Sequence, residues 1–129
     1  MKLFIFVFLL FSYSLSSSGW RFIYKQMYGD EVFLDFESIV TLDGFLYWKE
    51  LVNFNSPISG ISSMFVYMKG DCEEMIQKSI KFEYFLKHFG NKLIKTSNSN
   101  GKKWVTLDKK SDHYRNLKIM CNTRYKFKD

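Results

Sequence analysis

The chain has 129 residues and a formal charge of +6, with 47% hydrophobic, 19% aromatic and 25% charged positions. That is enough for one domain and too little for two, which excludes most multidomain enzymes. Leu3 to Phe11 is an unbroken apolar run, so part of the hydrophobic fraction belongs to a leader and not to a core.

Lys2, that apolar run and the small residues Ser16-Ser17-Ser18 match the basic, apolar and cleavage regions of a secretory signal peptide over residues 1–18. The run is shorter than the roughly 20 apolar residues that span a bilayer, so no stable membrane span is expected. Cleavage after Ser18 leaves a single domain over residues 19–129. No cysteine lies near the cut, so a lipid anchor on a new N-terminal cysteine is not expected. The expected destination is the periplasm or the medium, with the cell surface as a third.

Turn signals then arrive at short intervals, at Tyr28-Gly29-Asp30, Asp43-Gly44, Asn55 through Gly60, Lys69-Gly70-Asp71, Gly90-Asn91 and Ser97 through Gly101. Between them, β-branched and aromatic segments predict strands over Trp20–Tyr28, Glu31–Asp35, Phe45–Phe54, Ser62–Met68, Met75–Leu86, Leu93–Thr96 and Lys103–Leu107. In the fifth, Ile76, Ile80, Phe82, Tyr84 and Leu86 fall on one face, with Gln77, Ser79, Lys81 and Glu83 on the other. A period of two predicts an antiparallel sheet with one covered side and one wet side. By that phase Phe85 projects from the wet side, where Tyr47 and Tyr67 could join it in an apolar patch.

Ser111 predicts a helix N-cap. Tyr114, Leu117 and Cys121 then share one helical face, while Asp112, Arg115 and Asn116 point away. Asn122–Asp129 reads as a basic, frayed tail. Cys72 and Cys121 are the only cysteines. In an exported chain they predict a disulfide that staples the helix to the sheet. A nucleophilic cysteine assisted by His88 or His113 is set aside, since a thiol with a single partner in an oxidising compartment becomes a bridge.

No catalytic constellation is legible. Ser111-Asp112-His113 are adjacent on a helix and diverge, whereas triad members converge from separated positions. The two Cys and two His have no metal-ligand spacing, and no glycine-rich phosphate loop occurs. No enzyme activity, cofactor or metal is expected. Nucleic acid is not expected as a partner either, because only three of the 19 basic residues are Arg.

An ordered set of features runs along the chain: Trp20, then VFLDFESIV with Asp35 and Ser38 three apart, Gly44, Trp48 in LYWKELVNF, Ser62-Ser63, Asp71-Cys72, Trp104, Ser111 and Cys121. In this order and spacing the chain resembles the surface-adhesin protein E family of small exported bacterial proteins. The resemblance implies a mainly β (α+β) fold: a curved antiparallel sheet of about six strands with a C-terminal helix tethered to its concave face by the disulfide. It also implies a non-enzymatic binding module for extracellular or host proteins, with homodimers. Asp35 and Ser38 are expected in a local turn, Gly44 in a hairpin, and Trp48 and Trp104 in the core. Lys81, Lys87 and Lys92 are the candidate contacts for an acidic protein partner, and Phe85 is a candidate apolar contact. The alternative is a structural or envelope-associated periplasmic protein of the same fold with no adhesive role.

Overall fold

The computed structural model describes residues 19–99 and 103–126. The expected leader (1–18), part of the predicted turn (100–101) and the end of the expected tail (127–129) lie outside the described residues. Strands β1 (Trp20–Lys25), β2 (Glu31–Asp35), β3 (Val40–Leu42), β4 (Phe45–Ile58), β5 (Ile61–Asp71), β6 (Ile76–Lys87), β7 (Asn91–Asn98) and β8 (Val105–Thr106) precede helix α1 (Asp112–Lys126). All pairings are antiparallel, in the order β1-β2-β4-β5-β6-β7, with β3 beside β4 and β8 beside β6.

Turn chemistry sets the β3–β4 and β4–β5 hairpins. Asp43-Gly44 and Ser59-Gly60 each place two consecutive residues at positive φ (53° and 81°, 50° and 79°), the pattern of a type I′ turn, whose twist matches that of the strands it joins. The Ser59-Gly60 turn is shorter than the sequence implied. Strand β4 continues to Ile58, and its pairing with β5 jumps from Asn53↔Ser63 to Ile58↔Ile61. Pro57 falls in that irregular stretch, where its missing N–H breaks no ladder.

The main core lies between the sheet and α1. It joins Leu34, Leu46, Trp48, Val66 and Met68 of the sheet to Leu117, Met120 and Cys121 of the helix. Ser111 caps the helix as expected, its Oγ accepting a hydrogen bond from Tyr114 N at 3.1 Å. The buried stripe is rotated from the expected one, however: Asn116 faces inward at 2% exposure, while Tyr114 is only half-buried. The expected fraying at Asn122 is not seen either, as the helix runs to Lys126.

Two features clamp the helix down. Cys72, in the turn after β5, is bonded to Cys121 with Cα atoms 5.9 Å apart. Closing this 49-residue separation disfavours the unfolded chain by about 4 kcal/mol in the loop-entropy account. Gly70 supplies the space: a Cβ there would lie 2.7 Å from both Leu117 Cδ1 and Trp48 Cζ3.

The single covered side is corrected. Against β5, Tyr67 pairs with Lys81 and Met68 with Ser79, so Ile80 is an extra residue, a β-bulge that shifts the phase of β6. Gln77 and Ser79 therefore share the helix side with Phe82 and Tyr84, and Gln77 is 7% exposed. On the opposite, convex side Phe85 is only 5% exposed, while Leu86, in phase with Tyr84, is 47% exposed. Phe85 thus does not project into solvent and offers no wet-face contact. It belongs to a second apolar layer with Leu51 and Phe65, whose ring lies 4.6 Å from that of Phe85. The turn His88–Gly90 folds over this layer. Phe89 N donates to Asn53 Oδ1 (2.9 Å) and Gly90 N to Ser63 Oγ (3.1 Å), while Ser63 Oγ donates to the Lys87 carbonyl (2.6 Å). Backbone groups of the turn are thereby satisfied by the two buried polar side chains of the sheet.

Phe85→Ala is expected to lower stability by about 3–5 kcal/mol through loss of packing and a residual cavity, whereas Leu86→Ser changes it by less than about 1 kcal/mol. Gly70→Ala is expected to cost about 1–3 kcal/mol from overpacking against Trp48 and Leu117. Denaturant unfolding of the three variants measures all of these effects.

Candidate functional site

The convex side divides by location. Its half near the Ser59-Gly60 hairpin is closed by the apolar layer just described. The other half, near Asp43-Gly44, is open and carries lysines laid over aromatic rings. Register explains the array: Tyr47 pairs with Lys69, Lys49 with Tyr67, Tyr67 with Lys81, and Lys69 with Lys78, so all these side chains share one face. Lys69 Nζ lies 4.2 Å from the ring centre of Phe45 and 5.5 Å from that of Tyr47. Lys81 Nζ is 4.2 Å from Tyr67, and Lys78 Nζ is 5.0 Å from Trp104. Lys49 Nζ is 4.9 Å from Phe65 and 5.3 Å from Trp20.

Trp104 stacks on Phe45 with ring centres 5.5 Å apart. It is half-buried on this face and not in the core where it was expected, whereas Trp48 is core at 3% exposure. Exposed Val40 and Leu42 of β3, paired with Tyr47 and Phe45, extend the apolar rim.

Each lysine stem lies along apolar surface and leaves its ammonium near a ring's negative face, a contact of about 0.5–1 kcal/mol at exposed sites. Glu83 is the acid of this array, and it accepts a hydrogen bond from the Tyr67 hydroxyl. Burial, together with this bond and the charge of Glu83, pushes the Tyr67 phenol well above its ordinary value. Among the described residues the ion pair within 4 Å is Arg115–Asp112, on the helix. The four lysines are therefore free to meet an external anion.

Of the residues expected to contact a partner, Lys81 belongs to this array. Lys87 and Lys92 are exposed at the β6–β7 connection, at the opposite end of the strands, and do not join it. Sequence reasoning missed Lys49, Lys69 and Lys78. The alternation in Phe45–Phe54 places Lys49 opposite to Trp48, which was a readable signal, but bringing Lys69 and Lys78 together requires the register. Asp35 and Ser38 form a local turn, with Asp35 Oδ1 accepting from Glu37 N (3.1 Å) and Ser38 Oγ donating to the Asp35 carbonyl (2.8 Å).

On the helix side, a cleft of about 360 Å³ opens between β1, β2, β4, β5, β6 and the start of α1. Its wall is mostly apolar, including Val52, Met64 and Val66, and Glu50 lies in it at 8% exposure. Asn116 Nδ2 donates to Glu50 Oε1 over a long 3.4 Å. The Trp48 indole N–H also favours the ionised carboxylate but makes no hydrogen bond by geometry. Burial outweighs both and pushes the Glu50 carboxyl up to about 7. Burial, and then the charge of Glu50, raises the neighbouring Tyr24 phenol as well. Among the described residues no group of three or more His, Cys, Asp or Glu could hold a metal.

These features define a class of α+β proteins in which one helix is disulfide-clamped into the concave side of an open antiparallel sheet. The chain belongs to the surface-adhesin protein E family, whose sequence profile matches residues 20–122. Solved structures of Haemophilus influenzae protein E share the fold. One is 15% identical with a TM-score of 0.66, covering 89% of this chain and 92% of that one. A second, from a non-typeable strain, is 14% identical with a TM-score of 0.66 and coverages of 88% and 82%. The selenomethionine form is 15% identical with a TM-score of 0.64, covering 84% and 89%. No curated protein matches the chain.

The raised Glu50 carboxyl makes stability depend on pH. Unfolded, it titrates near 4.5; folded, near 7. Between those values the folded state holds a proton that the unfolded state has released, so the contribution of Glu50 to stability is fully present below about 4.5 and is lost as pH rises through about 7, by roughly 3 kcal/mol. Glu50→Gln is expected to abolish that decline, leaving the variant more stable than the parent at pH 8, as measured by denaturant midpoints across pH 4–8.

Proposed function

We propose that this protein is an exported, non-enzymatic binding module that uses the open half of its convex face to hold acidic patches of extracellular or host proteins. The observation that carries this reading is the lysine–aromatic array of Lys49, Lys69, Lys78 and Lys81 over Phe45, Tyr67 and Trp104. Cations spread over a convex sheet face attract an acidic partner over a distance set by the ionic strength. Half-buried aromatic rings beneath them then supply the contact area that charges alone do not, as at many protein interfaces. Membership of a surface-adhesin family supports export and a protein partner. The apolar leader from Leu3 to Phe11 supports a cleaved signal peptide over residues 1–18. Among the described residues no helix is long and apolar enough to cross a membrane.

The test is surface plasmon resonance of the purified protein against immobilised matrix and serum proteins at 50–500 mM salt. Binding is expected to weaken steeply with salt, and Lys69→Gln/Lys78→Gln/Lys81→Gln to weaken it at least about tenfold without changing the melting temperature. Lys87→Gln/Lys92→Gln is expected to bind as the parent does. Absence of any salt-sensitive binder, or equal loss in both variants, overturns the proposal and leaves an envelope-associated structural role.

A further inference from the structure

The cleft on the helix side holds a feature that the convex-face reading does not use. Glu50 sits on β4 in the same phase as Leu46 and Trp48, in the middle of a core stripe. An acid at 8% exposure normally has a cation or several hydrogen bonds to offset lost hydration. Among the described residues Glu50 has a long bond from Asn116 and no ammonium or guanidinium within 4 Å. The other titratable groups of the cleft do not supply one. Tyr24 is neutral, the Lys78 ammonium lies over Trp104 on the opposite face, and His113 is exposed at the helix start.

Around the carboxyl, the space is shaped for a ligand. At about 360 Å³ it falls at the small end of the range of roughly 300–1,000 Å³ typical of ligand sites. Val32, Val52, Met64, Val66 and Phe82 line it with apolar surface, and Gln77 contributes an amide at 7% exposure. An apolar cleft with one uncompensated carboxyl is complementary to a chain with a cationic head. A carboxylate ligand would meet like charge, and a purely apolar one would leave the acid without a counter-ion.

We propose that this cleft is a binding site for a small amphipathic monoamine, whose ammonium pairs with Glu50 and whose hydrocarbon chain lies against Val52, Met64 and Val66. The site lies on the opposite side of the sheet from the convex array and goes beyond the reading given above, so either can fail without the other.

The experiment titrates the purified protein at pH 8 with hexylamine, hexanol and hexanoate, following Met methyl resonances by NMR. Hexylamine is expected to bind at least tenfold more tightly than the other two and to shift the methyls of Met64 and Met68. Glu50→Gln is expected to fold, to be at least as stable as the parent at this pH, and to lose the tenfold preference. N-acetyl-lysinamide, which presents the same ammonium from a peptide unit, is expected to bind more weakly than hexylamine. Four results each overturn the proposal: no binding of hexylamine at millimolar concentration, equal affinity for the three hexyl probes, a preference retained in Glu50→Gln, or lysinamide binding as tightly as hexylamine.

Discussion

The seating of one helix in the concave side of the sheet is the constraint on which the rest depends. An antiparallel sheet with Leu34, Leu46, Trp48, Val66 and Met68 on one side must cover them, and α1 is the only α-helix among the described residues. It is a polar helix whose apolar contribution is chiefly Leu117, Met120 and Cys121. So thin a stripe holds only at close range. Gly70 permits that range by letting Leu117 and Trp48 meet over bare backbone, and the Cys72–Cys121 bond keeps the helix from lifting away. With the concave side committed, only the convex side is left as a broad face.

That convex side is not uniformly wet, because Phe85 packs into an apolar layer at one end of it. Alternation with Phe82 and Tyr84 puts Phe85 on the convex side, and register gives it Leu51 and Phe65 as neighbours there. The convex layer therefore closes one end of that side and leaves the other end open. The open end is backed on its other side by Leu46, Trp48 and Met68, so its lysine–aromatic array lies over close-packed side chains. The lysine stems also shield the rings, which lowers the tendency of so aromatic a face to associate with copies of itself.

Much of the fold was legible in the sequence. The seven expected strands, the capped helix and the cysteine pair are all present, because alternation, turn residues and an N-cap act locally. What was illegible depended on partners. Strand β3 is only three residues long and exposed, with too little pattern to announce itself. The bulge at Ile80 reverses half the phase of β6, and its one local mark is Lys78, a charge standing in the apolar phase of Met75–Leu86. Asn116 was assigned outward by polarity, yet it is drawn in by Glu50, 66 positions earlier. Lys81 could be found from alternation alone, but its companions Lys49, Lys69 and Lys78 converge only through register.

The position of Cys121 along the chain carries a last consequence. It follows all eight strands, while its partner Cys72 sits midway among them. The covalent link therefore cannot close until the final strand has been synthesised, and it cannot choose which strands pair. Strand partners must be found through turn geometry and side-chain alternation alone, over the long sequence separations that slow the folding of sheet proteins. The disulfide is a latch shut on a finished sheet, and the information that builds the sheet is entirely noncovalent.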